Sequence, residues 1–234
     1  MPWIHWFSRP RALMLAVFRR NQALQGISEK FWRDCGDSFL ASGDYYEKRA
    51  AVLQGVLCGI RRADRALDVG CGDGQFTELI AHHANSIDAF DLSPNLVQKA
   101  RLRSTLKPPK ARVEVADLES MPTKGKYDIV SCMGVLSCIT ADDKFRRVIG
   151  ILTSLVSRDG FLLLVDTLGQ RKALTRAHKN GYVAHYREQN SYLEEFIRHG
   201  MSLRQAIPIA TMSRETVNTL YLFSWSPCID TDKP

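Results

Sequence analysis

A glycine-rich turn follows a short apolar run in the first third of the chain, and it constrains the fold more than any other feature. The stretch reads ALDVGCGDGQF, Ala66 to Phe76, with glycines at positions 70, 72 and 74. Glycines let the backbone turn tightly out of a strand and bring the amino end of the next helix against a ligand. The stretch therefore predicts a strand, a tight turn and a helix at a ligand-binding edge of a sheet.

From residue 63 onward, short apolar runs alternate with amphipathic segments, which is typical of βαβ units and a parallel sheet. The runs predict strands at Arg65–Val69, Ser86–Asp91, Ala111–Ala116, Tyr127–Met133 and Gly160–Asp166. The segments between them predict helices near Gln75–His83, Pro94–Thr105 and Asp142–Val156. Residues 191–201 predict a further helix, and 202–212 and 216–225 predict an antiparallel pair of strands. Together these elements predict a doubly wound α/β fold.

The domain organisation follows from the length and from this pattern. At 234 residues, with 45% hydrophobic and 24% charged residues, the chain is long enough for one globular domain with appended helices. We expect residues 1–62 to form a helical extension and residues 63–234 to form the α/β domain. Residues 167–190 are expected to be a substrate-binding insert within that domain.

Several classes of protein are disfavoured by what the sequence lacks. The six cysteines have no CxxC spacing, which argues against a zinc site or a disulfide framework and favours a cytoplasmic protein. His82 and His83 are adjacent, so a helix would point them about 100° apart and no metal site is predicted. A nucleophile-elbow motif of hydrolases is also absent.

The first twenty residues are basic and partly apolar. The run ALMLAVF is too short to span a bilayer, and no cleavage site for a signal peptide follows it. A basic amphipathic helix remains as the interpretation, and it would pack on the core or cover a site. The alternative is a peripheral position on the inner face of a membrane, with Trp3, Trp6, Phe7 and Phe18 at the lipid surface.

Two aspartates in the stretch Ala66–Phe76 indicate which kind of ligand the glycine-rich turn would bind. A dinucleotide fingerprint would need glycine at position 75, where the chain has Gln75. Asp68 and Asp73 would repel a pyrophosphate at close range but attract a cation. S-adenosylmethionine carries both an ammonium and a sulfonium charge, so the turn favours this cofactor over a dinucleotide.

Two more aspartates follow later strands. Asp91 ends the second predicted strand, 21 residues after Gly70, where a carboxylate can accept both hydroxyls of a ribose. Asp117 follows the third strand, where it could accept from an adenine amino group while Leu118 offers an apolar face. Each aspartate alone could be a turn or cap residue. Their common position at the carboxyl ends of successive strands favours a nucleoside site.

These residues resemble the class I, Rossmann-like S-adenosylmethionine-dependent methyltransferases. The resemblance runs from Ala63 to Asp166 and rests on LDVGCGDG, DAFDLSPNLVQKAR, VADLESMP, YDIVSCMGVLSCI and SRDGFLLLVD. It implies a seven-stranded sheet with an antiparallel last strand. It also implies methionine-moiety contacts at Asp68, Gly70, Gly72 and Gly74, a ribose contact at Asp91, and adenine contacts at Asp117 and Leu118. Neighbouring residues of these motifs complete the predicted cofactor set: Cys71, Leu92 and Met133.

The acceptor of the methyl group is less constrained. Where many small-molecule members of this family carry a histidine after the fourth strand, this chain has Ser137 and Cys138. We therefore expect a general base from elsewhere, with His185 in the insert and Asp166 at the end of the fifth strand as candidates. The expected set of catalytic residues is thus His185 and Asp166.

Charge gives the remaining indication about the acceptor. The net charge is +7, and the insert carries Arg171, Lys172, Arg176, Lys179 and Arg187. A basic insert suits an anionic acceptor, so we expect O-methylation of a sugar or glycan in polysaccharide biosynthesis; the alternative for the insert is a solvated basic helix. Other open alternatives are RNA, a phenolic or quinone-like lipid, a non-enzymatic cofactor-binding protein and an NAD-dependent oxidoreductase.

Overall fold

The computed structural model describes residues 8–37 and 42–226. Of the aromatic residues predicted to face a membrane, Trp3, Trp6 and Phe7 lie outside the described residues, as does the side chain of Phe18. Within the described residues, no helix is long and apolar enough to cross a membrane.

A seven-stranded sheet forms the centre of the molecule. Its strands run in the order β3, β2, β1, β4, β5, β9, β8; β9 pairs antiparallel with both β5 and β8, and the other neighbouring strands are parallel. The strands are β1 Ala63–Val69, β2 Ala84–Asp91, β3 Ala111–Val115, β4 Tyr127–Met133, β5 Val156–Gly169, β8 Met201–Ser213 and β9 Thr216–Trp225. A separate hairpin is formed by β6 Leu174–Ala177 and β7 Val183–Tyr186. The predicted α/β fold with an antiparallel sheet edge is confirmed.

Helices cover both faces of this sheet. They are α1 Ser8–Asp34, α2 Gly43–Cys58, α3 Gln75–His82, α4 Pro94–Leu102, α5 Asp142–Leu155 and α6 Gln189–Arg198. Successive residues of β1 enter opposite layers of the core, since Ala66 packs in one buried cluster and Leu67 in the other. Burial on both faces explains why the central strands are continuously apolar rather than alternating.

Some predicted boundaries were wrong, and tertiary contacts explain two of them. Helix α4 ends at Leu102 rather than Thr105, because Arg103 is extended and its Nε donates to the carbonyl of Asp73. Strand β5 is longer than Gly160–Asp166, because it pairs with β9 as far as Gly169.

The expected insert at residues 167–190 is not a solvated basic helix. It contains the end of β5 and the hairpin of β6 and β7, in which His185 pairs with Thr175 across the two strands. The hairpin packs against α1, where Tyr182 contacts the rings of Phe31 and Trp32 at centroid distances of 5.5 and 5.6 Å. The insert and the amino-terminal extension therefore form one layer above the sheet edge.

Helix α1 is held to the α/β domain by buried polar contacts. The side-chain oxygen of Gln25 accepts from the backbone N–H of Thr140 at 2.7 Å and of Ala141 at 3.2 Å. The hydroxyl of Ser28 donates to the carbonyl of Cys138 at 2.8 Å. Buried backbone groups need such partners, so these bonds fix where α1 lies over the β4–α5 loop.

We predict that Gln25→Ala weakens the docking of α1. The change removes the side-chain oxygen that accepts from two buried backbone N–H groups, and the free energy of unfolding should fall by about 1 to 3 kcal/mol, measured by urea denaturation. Gln22 provides a matched control, since its side chain is exposed and bonds only Asp143 among the partners described. Gln22→Ala should change stability by less than about 0.5 kcal/mol; equal losses in both variants would contradict the prediction.

Candidate active site

A cavity of about 450 Å³ opens at the carboxyl edge of the parallel strands. Its floor is formed by the segments that follow β1, β2, β3 and β4, and its walls come from α1, α2 and the β6–β7 hairpin. Ligand sites of doubly wound sheets lie at this edge, where strand order reverses between neighbouring strands. Here that reversal lies between β1 and β4.

The glycine turn, residues 70–74, requires glycine for steric reasons. Gly70 has a φ of +74°, and a Cβ placed on it would lie 2.1 Å from Cγ2 of Val135. Gly74 has a φ of +85°, and its Cβ would lie 2.8 Å from Cδ1 of Leu106. The backbone of the turn can therefore approach its neighbours more closely than any side chain would allow.

Asp68 is a buried carboxylate at the end of β1. It accepts hydrogen bonds from Thr77 on α3 at 2.6 Å and from Ser131 on β4. Burial raises its pKa, while the two hydroxyls and the nearby charge of Arg49 act in the opposite direction. Asp68 lines the cavity, but much of its hydrogen-bonding capacity is used by Thr77 and Ser131.

Asp73 contributes less free negative charge than the sequence suggested. Its carboxylate forms an ion pair with Arg103 at 3.3 Å and accepts from the backbone N–H of Gln75 at 3.3 Å. Arg103 also pairs with Glu78 at 2.7 Å. Part of the charge of Asp73 is therefore neutralised within the protein.

Asp91 connects the glycine turn to the end of β2 through hydrogen bonds. One carboxylate oxygen accepts from the backbone N–H of Gly72 and the other from that of Ser93, both at 2.8 Å. Burial raises the pKa of Asp91, and these backbone donors offset part of the shift. Ribose hydroxyls can still donate to the remaining lone pairs of such a carboxylate.

The other predicted cofactor residues come together around the same space. The cavity is lined by Gly70, Cys71, Gly72, Leu92, Asp117, Leu118 and Met133. Gly74 lies behind the lining and supports the turn. The carboxylate of Asp117 accepts from the backbone N–H of Glu119 at 3.0 Å, which orients it after β3.

Arg49 on α2 is a site residue that the sequence analysis missed. It is 7% exposed, its guanidinium carbon lies 4.1 Å from the ring centroid of Phe76, and its Nε has no hydrogen-bond partner among the described residues. A signal was present, because Arg49 interrupts the buried stripe of α2 between Tyr46 and Leu53. A buried cation with an unused donor requires an anionic or polar partner.

The hairpin side of the cavity is aromatic. Trp32, His178, Tyr182 and Tyr186, which we call the aromatic wall, all line it. The rings of His178 and Tyr182 are stacked at 4.1 Å with an interplanar angle of 3°. Nε2 of His178 lies 2.8 Å from the hydroxyl of Tyr186. A planar molecule could stack on or beside such rings.

A polar corner lies where β5 and β9 meet the cavity. Asn218 is 3% exposed and donates to the hydroxyl of Thr167 at 3.0 Å, while its Oδ1 has no partner among the described residues. Both residues line the cavity. The corner can therefore accept a hydrogen bond from a donor on a bound molecule.

The two predicted base candidates do not line this cavity. Asp166 is 0% exposed and accepts from the backbone N–H of Ser137 at 3.1 Å and the hydroxyl of Tyr192 at 3.0 Å. His185 points to the other side of β7, where its ring is 2.7 Å from the hydroxyl of Thr175 and its pKa is lowered to about 4 by burial and by Arg187. As general bases they remain predictions, but their positions do not support that role.

The basic residues of the insert also lie away from the cavity lining. Lys172 and Arg176 pair with Glu215 at 3.7 and 3.1 Å. Arg187 is buried, pairs with Asp142 at 2.9 Å and lies 3.6 Å over the ring of Phe145. Among the basic residues that the structure describes, the cavity is lined by Arg49 and Lys144.

Comparison with known proteins finds similarity over part of the chain. A profile for a methyltransferase domain matches residues 66–160. The ubiquinone biosynthesis O-methyltransferase of Xanthomonas campestris pv. campestris is 38% identical over 111 residues, which are 47% of this chain and 45% of that protein. The chain thus aligns with less than half the length of the curated relatives it matches.

Solved structures share the fold. The structure of the DhpI–SAH complex has a TM-score of 0.67 at 18% identity, and the match covers 88% of this chain and 98% of DhpI. The N-methyltransferase NodS from Bradyrhizobium japonicum WM9 has a TM-score of 0.66 at 15% identity, with coverages of 89% and 98%. The 1,6-didemethyltoxoflavin-N1-methyltransferase of Burkholderia thailandensis has a TM-score of 0.66 at 14% identity, with coverages of 89% and 90%.

The sheet order and the turn between β1 and α3 define a Rossmann-like α/β domain, in which ligands bind at this edge of the sheet. The methyltransferase-domain profile over residues 66–160 agrees with the predicted resemblance to S-adenosylmethionine-dependent methyltransferases. In the part of the chain that the structure describes, no group of three or more His, Cys, Asp or Glu could hold a metal ion.

We predict that Asp166 makes stability depend on pH. Burial raises its pKa to about 6 in the folded protein, whereas an unfolded aspartate titrates near 3.9. The protonated form therefore favours folding, and its stabilising effect is lost as pH rises through 6. Between pH 4 and pH 8 the free energy of unfolding of the wild type should fall by about 2 to 3 kcal/mol relative to Asp166→Asn, measured by urea denaturation; a constant difference would contradict this.

Proposed function

We propose that the protein transfers a methyl group from S-adenosylmethionine to a small aromatic acceptor. The observation that carries this proposal is that one cavity joins the glycine turn and its aspartates to the aromatic wall. A cofactor held by the first group and an acceptor stacked on the second would share the same enclosed space. Methyl transfer depends mainly on holding two reactants in line at close range.

The proposed cofactor-binding residues differ in the part of the cofactor that each would contact. Arg49 offers a buried guanidinium to a carboxylate, and Asp68 lies near it with the charge suited to an ammonium group. Asp91 would accept ribose hydroxyls, and Asp117 with Leu118 would contact the base. When bound, S-adenosylmethionine supplies an electrophilic methyl carbon on a positively charged sulfur. The chain's own residues orient it and exclude water.

The aromatic wall supports an aromatic acceptor over a sugar. The wall is built from rings, and its corner at Asn218 offers one acceptor for a hydroxyl or amino substituent. A curated relative is named for O-methylation in ubiquinone biosynthesis, and a structural neighbour is named for a toxoflavin precursor. Those names describe other proteins, and they agree with a ring-shaped small molecule here.

An anionic glycan or RNA acceptor has less support. The insert's cations Lys172, Arg176 and Arg187 are engaged by Glu215 and Asp142. Lys144, at the cavity, is paired with Glu29 at 2.8 Å and Glu119 at 3.3 Å. A cytoplasmic location, membrane contact through residues 1–20 and a role in polysaccharide biosynthesis rest on the sequence alone.

We predict that Arg49 selects for the carboxylate of the cofactor. Arg49→Met should weaken binding of S-adenosylhomocysteine by about 10- to 100-fold, because a charged hydrogen bond contributes about 1.5 to 3 kcal/mol. It should leave binding of 5′-methylthioadenosine, which lacks the carboxylate, within about twofold, as measured by titration calorimetry. Asp91→Asn serves as the comparison and should weaken both ligands. A wild-type protein that binds NAD but not S-adenosylhomocysteine would contradict the proposed function.

The acceptor class is tested by a transfer screen. The wild-type protein is incubated with methyl-labelled S-adenosylmethionine and, separately, with catechols, aromatic amines, sugar nucleotides, lipid extracts and tRNA. We expect label only in aromatic products, because the aromatic wall can stack flat rings. Exclusive labelling of a sugar nucleotide or of tRNA would contradict the aromatic acceptor while leaving the cofactor assignment intact.

A further inference from the structure

Two groups able to move a proton are hydrogen-bonded to each other in the aromatic wall. Nε2 of His178 and the hydroxyl of Tyr186 are 2.8 Å apart, and both side chains line the cavity. Tyr182 lies beside this pair and also lines the cavity. Stacking of His178 on Tyr182 at 4.1 Å holds the imidazole ring in place. The wall is thus preorganised as well as aromatic.

We infer that Tyr186 and His178 together accept the proton of an acceptor hydroxyl, so that the protein methylates oxygen. This inference rests on the proposed function and adds the reacting atom and the base to it. The acceptor's proton passes to the oxygen of Tyr186 while the proton of Tyr186 passes to Nε2 of His178. The acceptor oxygen bonds to the methyl carbon as the carbon–sulfur bond breaks and leaves its electron pair on sulfur. The imidazolium then releases its proton to solvent.

The surroundings keep His178 in the form that accepts a proton. Burial and the nearby charge of Arg176 lower its pKa, so the ring is neutral at pH 7. Burial and the neighbouring Asp166 raise the pKa of Cys138 to about 12, so its thiol adds no charge beside the pair. The titratable groups around the pair, from each neighbouring element, are Tyr46, Cys138, Asp166, Arg176 and Tyr182.

The His178–Tyr186 pair is also better placed to act as a general base than His185 or Asp166. His185 lies on the same hairpin but its ring is bonded to Thr175, outside the cavity lining. Asp166 lies beneath the floor and is bonded to Ser137 and Tyr192. A neutral amine acceptor has a free lone pair before transfer, so it needs no general base at that stage. A general base formed by Tyr186 and His178 would therefore assist methylation of a hydroxyl acceptor most.

Binding of 4-nitrocatechol tests the inference without methyl transfer. Its phenolate absorbs at longer wavelength than its phenol, so a spectrum reports whether the bound probe has lost its proton. With saturating S-adenosylhomocysteine at pH 6, the wild type should bind the probe as the phenolate. His178→Gln and Tyr186→Phe should bind it in the protonated form. His82→Gln is the matched control, because His82 ends α3 beside the amino end of β1, and it should behave as wild type.

Turnover provides the second readout. With labelled S-adenosylmethionine, 4-nitrocatechol should give a methyl ether, and 4-nitro-1,2-phenylenediamine should gain no label. His178→Gln should lower kcat by about 100-fold or more while binding S-adenosylhomocysteine within about twofold of wild type. The wild-type kcat/KM should rise with pH through a pKa below about 6.5, and this acid limb should disappear in His178→Gln.

Several outcomes would overturn the inference. These are a His178→Gln variant with kcat within about threefold of wild type, methylation of the diamine alone, or loss of activity in His185→Gln instead. Failure of 4-nitrocatechol to bind at millimolar concentration in a protein that binds S-adenosylhomocysteine would also overturn it, while the cofactor assignment would stand. Failure of S-adenosylhomocysteine itself to bind would instead overturn the proposed function.

Discussion

The hydrogen bonds of one buried carboxylate, Asp68, hold together the elements that form the floor of the cavity. Asp68 at the end of β1 accepts from Thr77 on α3 and from Ser131 on β4, so three elements converge on a single side chain. Asp91 then fastens the glycine turn to β2 through the N–H of Gly72. Because these three bonds lie beneath the cavity, the positions of the glycine turn and of the ends of β1 and β2 depend on them.

Much of this arrangement could be predicted from the sequence, because it is local. A glycine with φ of +74° against Val135 tolerates no side chain, and an aspartate at the end of a buried strand has few places to point. The turn and the central strands therefore follow from short motifs and their spacing. The antiparallel edge was also predictable, because two apolar runs are separated by only three polar residues.

Other features of the site could not be predicted, because they depend on contacts between segments that are distant in the sequence. Arg49 enters the cavity because α2 lies across the sheet edge, and the sequence showed it only as a charge within an apolar stripe. The base candidates were chosen by residue type, whereas the alternation of β7 turns Tyr186 toward the cavity and His185 away from it. The insert's charges looked like a binding surface, but Glu215 and Asp142 engage three of them.

The contact of Tyr182 with Phe31 and Trp32 has a consequence for how acceptor specificity could change. The aromatic wall is assembled from one helix and one hairpin, neither of which carries a strand of the central sheet. The residues proposed to bind the methyl donor lie in the segments after β1 to β4. Evolution or engineering could therefore exchange the segments of the aromatic wall as a module and leave the proposed donor site unaltered.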